Sequence, residues 1–252
     1  MREALPYFAP PRPRVIAHRG LSLEAPENTL ASFDAALSVG VTHIETDVHA
    51  SADGVSIISH DSVLDRVAGR GGAVESLTAR QLSDIDLGGG HGFPALAEAL
   101  DAFPDAFFNI DVKSAAAIEP TAQAIRSVGA IDRVLVTSFS EQRRASTVRL
   151  LPGVATSASG PLFASALFAG KLGLTPFVRR ILSGVHAVQV PERAAGLSIT
   201  TSRMIELLHS VGVEVHIWTI NDPPSMRRLL DLGVDGIVTD RADLAMTVIR
   251  EI

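Results

Sequence analysis

Ionisable side chains gather where short β-branched runs end. His18 and Arg19 close the run at 14–20, Glu45 and Asp47 lie near the end of the run at 43–51, and Asp111 and Lys113 end the run at 107–113. Trp218 and Asn221 close another at 213–220. Side chains two apart on a strand share a face, so Glu45 points with Asp47 and Asp111 with Lys113. Asp53-Gly54 is a two-residue hairpin signal after the second run. Pairing Ala52 with Val55 then sets His60 directly opposite Asp47, and cross-strand partners share a face. His216 shares the face of Trp218 but lies deeper, and reads as a core histidine.

These residue types suggest one chemistry. Three carboxylates with no thiolate suit a hard divalent cation, Mg²⁺ or Ca²⁺. Arg19 and Lys113 add positive charge suited to a phosphate. Two histidines, His18 and His60, can supply an acid and a base near neutral pH. Together they describe metal-assisted phosphodiester cleavage, with one histidine activating the nucleophile and the other protonating the leaving oxygen.

The elements that must position these groups alternate. Setting aside VSIISHD at 55–61, strand-like runs lie at 14–20, 43–51, 107–113, 134–138, 153–159, 187–191, 213–220 and 235–240. Helix-spaced Ala/Leu-rich segments separate them, and several end in Gly, which accepts the left-handed conformation at a helix end. Alternation implies parallel strands and right-handed crossovers. Eight such units in about 250 residues predict a TIM (β/α)8 barrel, one domain over 1–252. A doubly wound sheet would carry a glycine-rich nucleotide loop after its first strand, whereas HRGLSLEAPENT stands there; Gly88-Gly89-Gly90 reads as a turn. The turn-rich stretch at about 62–93 is an insertion after the second barrel strand.

Composition narrows the function. A chain of 252 residues, 46% apolar and 20% charged, can bury a large core. A net charge of −6 argues against nucleic acid, and the absence of cysteine removes disulfides and thiolate metal sites. The first fifteen residues are Pro-rich and lack the apolar core of a signal peptide, which implies a cytoplasmic protein. The uncharged tract from Leu150 to Gly170 is broken by Pro152, Gly153, Gly160 and Pro161, and reads as a strand, a turn and a buried helix rather than a membrane span.

The motifs AHRG (17–20), PENT (26–29), ETD (45–47) and SHD (59–61) resemble the signature of the glycerophosphodiester phosphodiesterase family. So do NIDVK (109–113), TSF (137–139), IWTIND (217–222) and GIVTDRAD (236–243). The resemblance runs from about Arg14 to Leu244. It implies a barrel of the phospholipase C-like type that hydrolyses glycerophosphodiesters to sn-glycerol 3-phosphate and an alcohol. It further implies His18 and His60 as the acid/base pair, Arg19 and Lys113 as phosphate ligands, and Trp218 as a pocket wall. Glu45, Asp47 and Asp111 would then hold one divalent cation. The family usually has Glu-x-Lys where this chain has Asp111 and Lys113. Two other readings stay open: a phospholipase D-like or sphingomyelinase D-like enzyme, and a barrel that binds phosphodiesters without turnover.

Overall fold

The structure, a computed structural model, describes residues 5–194 and 197–251. Its strands are β1 (Arg14–His18), β2 (His43–Ala50), β3 (Ser56–Ile58), β4 (Phe107–Val112), β5 (Val134–Thr137), β6 (Ala155–Thr156) and β7 (Ala187–Pro191). A small ribbon of β8 (Arg193–Ala194) and β9 (Leu197–Ser198) follows, then β10 (Glu214–Trp218) and β11 (Gly236–Thr239). Without β3 and the ribbon, eight strands run in the order β6-β5-β4-β2-β1-β11-β10-β7, all pairs parallel. The ring closes where Ser157 bridges Ala187, with the Ala158 N–H donating to the Ala187 carbonyl at 2.9 Å. This is the barrel that the alternation predicts. The fifth barrel strand is shorter than its sequence run, Ala155–Thr156 against 153–159, because Ser157 and Ala158 already turn to meet β7.

Helices cover the outside. α1 (Leu30–Ser38) follows β1, while α2 (Asp65–Ala68), α3 (Ala79–Ser83) and α4 (Leu96–Ala102) lie between β3 and β4. Then come α5 (Ile118–Ser127), α6 (Glu141–Leu150), α7 (Gly160–Lys171), α8 (Thr175–Ile181), α9 (Ser202–Ser210), α10 (Pro223–Asp231) and α11 (Ala242–Arg250). α1 starts at a Thr29 cap. The Thr29 hydroxyl accepts from the Ser32 N–H at 3.2 Å, and the Ser32 hydroxyl accepts from the Thr29 N–H at 3.2 Å, a reciprocal cap. Alternate β2 residues Ile44 and Val48 pack outward with Phe33, Leu100 and Phe108, so Glu45 and Asp47 face the barrel interior. Tyr7 plugs the end of the barrel opposite the strand tips, edge-on to the His43 ring at 5.1 Å. The inserted segment has its own small core of Leu64, Val74, Leu82, Ile85 and Phe93, tied to β3 by Ile57.

One sequence expectation fails here. The β2–β3 hairpin pairs Val48 with Ile58 and Ala50 with Ser56, which sets Ser59, not His60, against Asp47. The turn holds three residues, 52–54, instead of two. The Ser51 N–H donates to the Val55 carbonyl at 2.9 Å, and the Ser51 hydroxyl donates to Asp53 at 2.6 Å, so the extra residue is locked in place. A one-residue slip turns every side chain over. His60 reaches the barrel mouth by another route, because β3 ends at Ile58 and the chain bends beyond it. Its carbonyl accepts from His49 Nε2 at 3.2 Å.

Gly20 shows how tightly the first loop is built. Its φ is +85°, and a Cβ there would lie 2.5 Å from the Ser32 hydroxyl and 2.6 Å from the Ser32 backbone. Gly20→Ala is expected to cost at least about 2 kcal/mol, since strain and collision coincide. That corresponds to a melting temperature lower by roughly 4–8 °C for a chain of this size. An unchanged melting curve would show that the loop moves freely.

Candidate active site

Strand register builds the site in layers. His18 of β1 is beside Glu45 of β2, which is beside Asn109 of β4. One layer further toward the strand tips, Asp47 is beside Asp111, and Asp111 beside Thr137. These side chains line a cavity of about 340 Å³ with Arg19, His60, Lys113 and Trp218. The eight residues to which the sequence reading assigns a role in the site therefore meet in one place. Phe139, Phe163, Val190 and Trp218 form an apolar wall of the same cavity.

Each histidine is backed by a carboxylate. His18 Nδ1 lies 2.6 Å from Asp240 Oδ1, and its Nε2 lies 3.9 Å from Glu45 Oε2. Burial works against the charged ring, but the hydrogen bond to Asp240 and the charge of Glu45 outweigh it and hold the His18 pKa above its ordinary value. Asp240 is itself fixed by Asn221, whose amide donates to it at 2.7 Å. His60 Nδ1 lies 2.7 Å from Asp61 Oδ1. Asp61 accepts from Arg66 at 2.5 Å, Arg66 also donates to Glu27 at 2.6 Å, and Glu27 accepts from Arg19 at 3.0 Å. This chain of charges ties the inserted segment and the first loop to the barrel.

The carboxylates crowd. Burial first, and then the charge of Asp47, push the Glu45 pKa up to about 8. Asp111 is also raised, mainly by burial. Lys113 Nζ sits 2.8 Å from Asp47 Oδ1 and 2.9 Å from Asp111 Oδ2. Burial disfavours its charge, but those two carboxylates outweigh burial and raise its pKa. Arg19 Nε lies 3.3 Å from Asp47 Oδ2, off the line of a hydrogen bond. Arg19 has a φ of +59° and Asn28 one of +58°, so both cross into the left-handed region at the loop that holds the site. Asn28 clamps β2: its amide N–H donates to Asp47 at 3.4 Å, and its carbonyl accepts from Thr46 at 2.7 Å.

Among the described residues, no three His, Asp or Glu side chains converge as a ready-made metal cage. The cause is visible, since Asp47 and Asp111 close on Lys113 instead. The donor set nevertheless fits a cation. Asp111 Oδ1 is buried with no hydrogen-bond partner, and burial together with the neighbouring carboxylate keeps the Glu45 pKa high. Arg19 Nε and Asn109 Oδ1 are also buried and unpartnered, which makes this cavity the main cluster of unsatisfied polar atoms among the described residues.

Residues 18–244 match the Glycerophosphoryl diester phosphodiesterase family. The chain belongs to this family. It is 42% identical over 236 residues to the probable glycerophosphodiester phosphodiesterase 2 of Mycobacterium tuberculosis, covering 93% of this chain and 89% of that one. A glycerophosphodiester phosphodiesterase from Caldanaerobacter subterraneus subsp. tengcongensis is 28% identical, with 94% and 98% covered. Among solved structures, the glycerophosphodiester phosphodiesterase of Agrobacterium tumefaciens superposes with a TM-score of 0.76 at 27% identity, covering 94% and 99%. An Oleispira antarctica phosphodiesterase, solved in complex with its product sn-glycerol-3-phosphate, shares the fold with a TM-score of 0.78 at 24% identity, covering 95% and 97%. As a member of the glycerophosphodiester phosphodiesterase family, the chain is a phosphoric diester hydrolase.

Sequence reasoning missed the residues that hold the site rather than face it. Glu27 and Asn28 sit inside the PENT motif, and Asp61 inside SHD, but nothing local reveals that they reach Arg66, Asp47 or His60. Asp240 lies 222 positions from His18 in sequence, and only the pairing of the first strand with the last brings them together. His216 is the core histidine that the sequence implies: it is fully buried, against Gln189 and Glu214.

Proposed function

We propose that the chain hydrolyses glycerophosphodiesters to sn-glycerol 3-phosphate and an alcohol with the help of one divalent cation, His18 acting as acid and His60 as base. The supporting observation is the pair of carboxylate-backed histidines facing one cavity that also holds Arg19, Lys113 and three carboxylates. Charge supports the cation. With all three carboxylates ionised, Arg19, Lys113 and a protonated His18 bring the cavity only to neutrality, which gives a phosphodiester no net attraction. A divalent cation makes the cavity positive. Glu45, Asp47 and Asp111 would hold it, and when bound it withdraws charge from the phosphoryl oxygens.

The chain's own groups do the rest. Arg19 and Lys113 take the remaining phosphate charge, releasing in part the carboxylates they now pair with. His60 accepts a proton from the attacking water, and Asp61 stabilises the imidazolium that forms. As the water oxygen bonds to phosphorus, the bond to the leaving alcohol breaks. His18, favoured in its charged form by Asp240, gives its proton to that oxygen. The apolar wall of Phe139, Phe163 and Trp218 faces the substrate and excludes water from the reacting groups. The Oleispira antarctica relative with bound sn-glycerol-3-phosphate agrees with this product.

The test is product analysis on glycerophosphocholine. Equimolar choline and sn-glycerol 3-phosphate are expected, with turnover lost to a chelator and restored by Mg²⁺ or Ca²⁺. A cyclic phosphate as final product would assign the phospholipase D-like reading. Full turnover in excess chelator would remove the cation.

A further inference from the structure

The helical hairpin between β6 and β7 is unlike the other helices of the barrel. The Leu150–Gly170 tract reads in sequence as a strand, a turn and a buried helix, but α7 is buried on one side only. Phe163, Ala166 and Ala169 pack into the core. Ala164, Phe168 and Leu172, four apart, point outward and are exposed. Phe168 is 69% exposed, Leu172 58%, Leu174 41% and Phe177 59%. A helix apolar on every side belongs inside a protein or against lipid. Here it stands at the surface, together with the turn into α8.

Its charge pattern is as unusual. The chain has net charge −6, yet from Gln142 to Pro191 it carries no Asp or Glu. Lys171, Arg179 and Arg180 flank the exposed apolar residues and are themselves exposed. Among the described residues none of the three forms an ion pair; Arg179 reaches only the Ser210 carbonyl, at 3.5 Å. The neighbouring α9 adds Arg203, which shares a shallow cleft with Lys171, and one carboxylate, Glu206.

We infer that the outer face of α7 and α8 docks the protein peripherally on an anionic phospholipid surface. Exposed Phe and Leu with flanking Lys and Arg are the composition that settles in a headgroup layer, where the rings enter the acyl boundary and the cations meet lipid phosphates. A second copy fits less well. A two-fold contact sets each patch against itself, so Lys171, Arg179 and Arg180 would face their own copies without a carboxylate between them. Among the described residues no helix is long and apolar enough to cross a membrane, so docking is at the surface.

The inference is independent of the catalytic reading, because none of the exposed apolar and basic residues of this face lines the catalytic cavity. Vesicles of phosphatidylglycerol and phosphatidylcholine, and vesicles of phosphatidylcholine alone, are floated with the full chain at low salt. Binding to the anionic vesicles alone is expected, weakening as salt rises. Phe168→Ser with Leu172→Ser and Phe177→Ser removes the apolar part, and Lys171→Glu with Arg179→Glu and Arg180→Glu reverses the charge. Each set is expected to lower the partition coefficient by about tenfold or more. Circular dichroism melting selects variants that remain folded; if a triple variant does not fold, Phe168→Ser and Arg180→Glu alone give the same test with smaller shifts. No binding of the wild type to anionic vesicles overturns the inference. So does a dimer in sedimentation velocity that the serine variants abolish, since a second copy then covers the face.

Discussion

Replacing His60 with alanine is expected to lower kcat on glycerophosphocholine by about 10²–10⁴-fold, the usual worth of one acid or base. Replacing His18 is expected to cost about as much on that substrate. The two variants should separate on a p-nitrophenyl phosphodiester. Its leaving group departs without a proton, so loss of the acid matters less there. His18→Ala is therefore expected to recover much of its rate, while His60→Ala stays slow on both substrates. The assignment follows from their surroundings. Asp240 favours the charged form of His18 against the cost of its burial, as an acid requires, and Asn221 keeps Asp240 in place. If His60→Ala is the rescued variant, the roles are reversed. If attack comes from a substrate hydroxyl rather than water, a cyclic phosphate accumulates in one variant, and the assignment is made on that step. Near-wild-type rates in both would end the paired-histidine mechanism.

The sequence reveals those groups whose position depends on strand period. Glu45 and Asp47, and Asp111 and Lys113, are two apart on strands and do share the barrel interior. The ring of strands is legible for the same reason, because short β-branched runs alternate with Ala/Leu helices. His60 is instructive in a different way. It reaches the cavity although the hairpin register that was expected to place it is off by one residue. The third turn residue is held by the Ser51 side chain, and Asp-Gly alone carries no such signal. Long-range pairs are the other blind spot. Asp240 with His18, and Arg66 with Glu27, exist only because the first strand pairs with the last and the inserted segment folds back over the barrel mouth. The outward face of α7 was hidden because periodicity shows one apolar side and gives no sign that the other lacks a cover.

The carboxylates lead to the second large effect, on cation affinity. In the metal-free protein burial and Asp47 push the Glu45 pKa up to about 8, against an ordinary value of 4.5. The folded state thus keeps a proton that the unfolded chain has lost, so metal-free stability falls as pH rises from 4.5 toward 8. A cation binds the ionised carboxylate and must displace that proton. Affinity for Mg²⁺ or Ca²⁺ is therefore expected to rise about tenfold per pH unit below 8, roughly a hundredfold from pH 6 to 8, and then to level. Isothermal titration of chelator-stripped protein at several pH values measures this, and buffers of different ionisation enthalpy count the protons released. Glu45→Gln is expected to bind more weakly at pH 8 and to lose most of the pH slope. Asp47→Asn is expected to weaken binding throughout, because it removes both charge and an oxygen ligand and leaves Lys113 paired with Asp111 alone. Asp111→Glu, which lengthens the side chain with the unpartnered oxygen by one methylene, is expected to keep the site. Wild-type affinity that does not change with pH would take Glu45 out of the site, and equal affinity in Asp47→Asn would take Asp47 out as well.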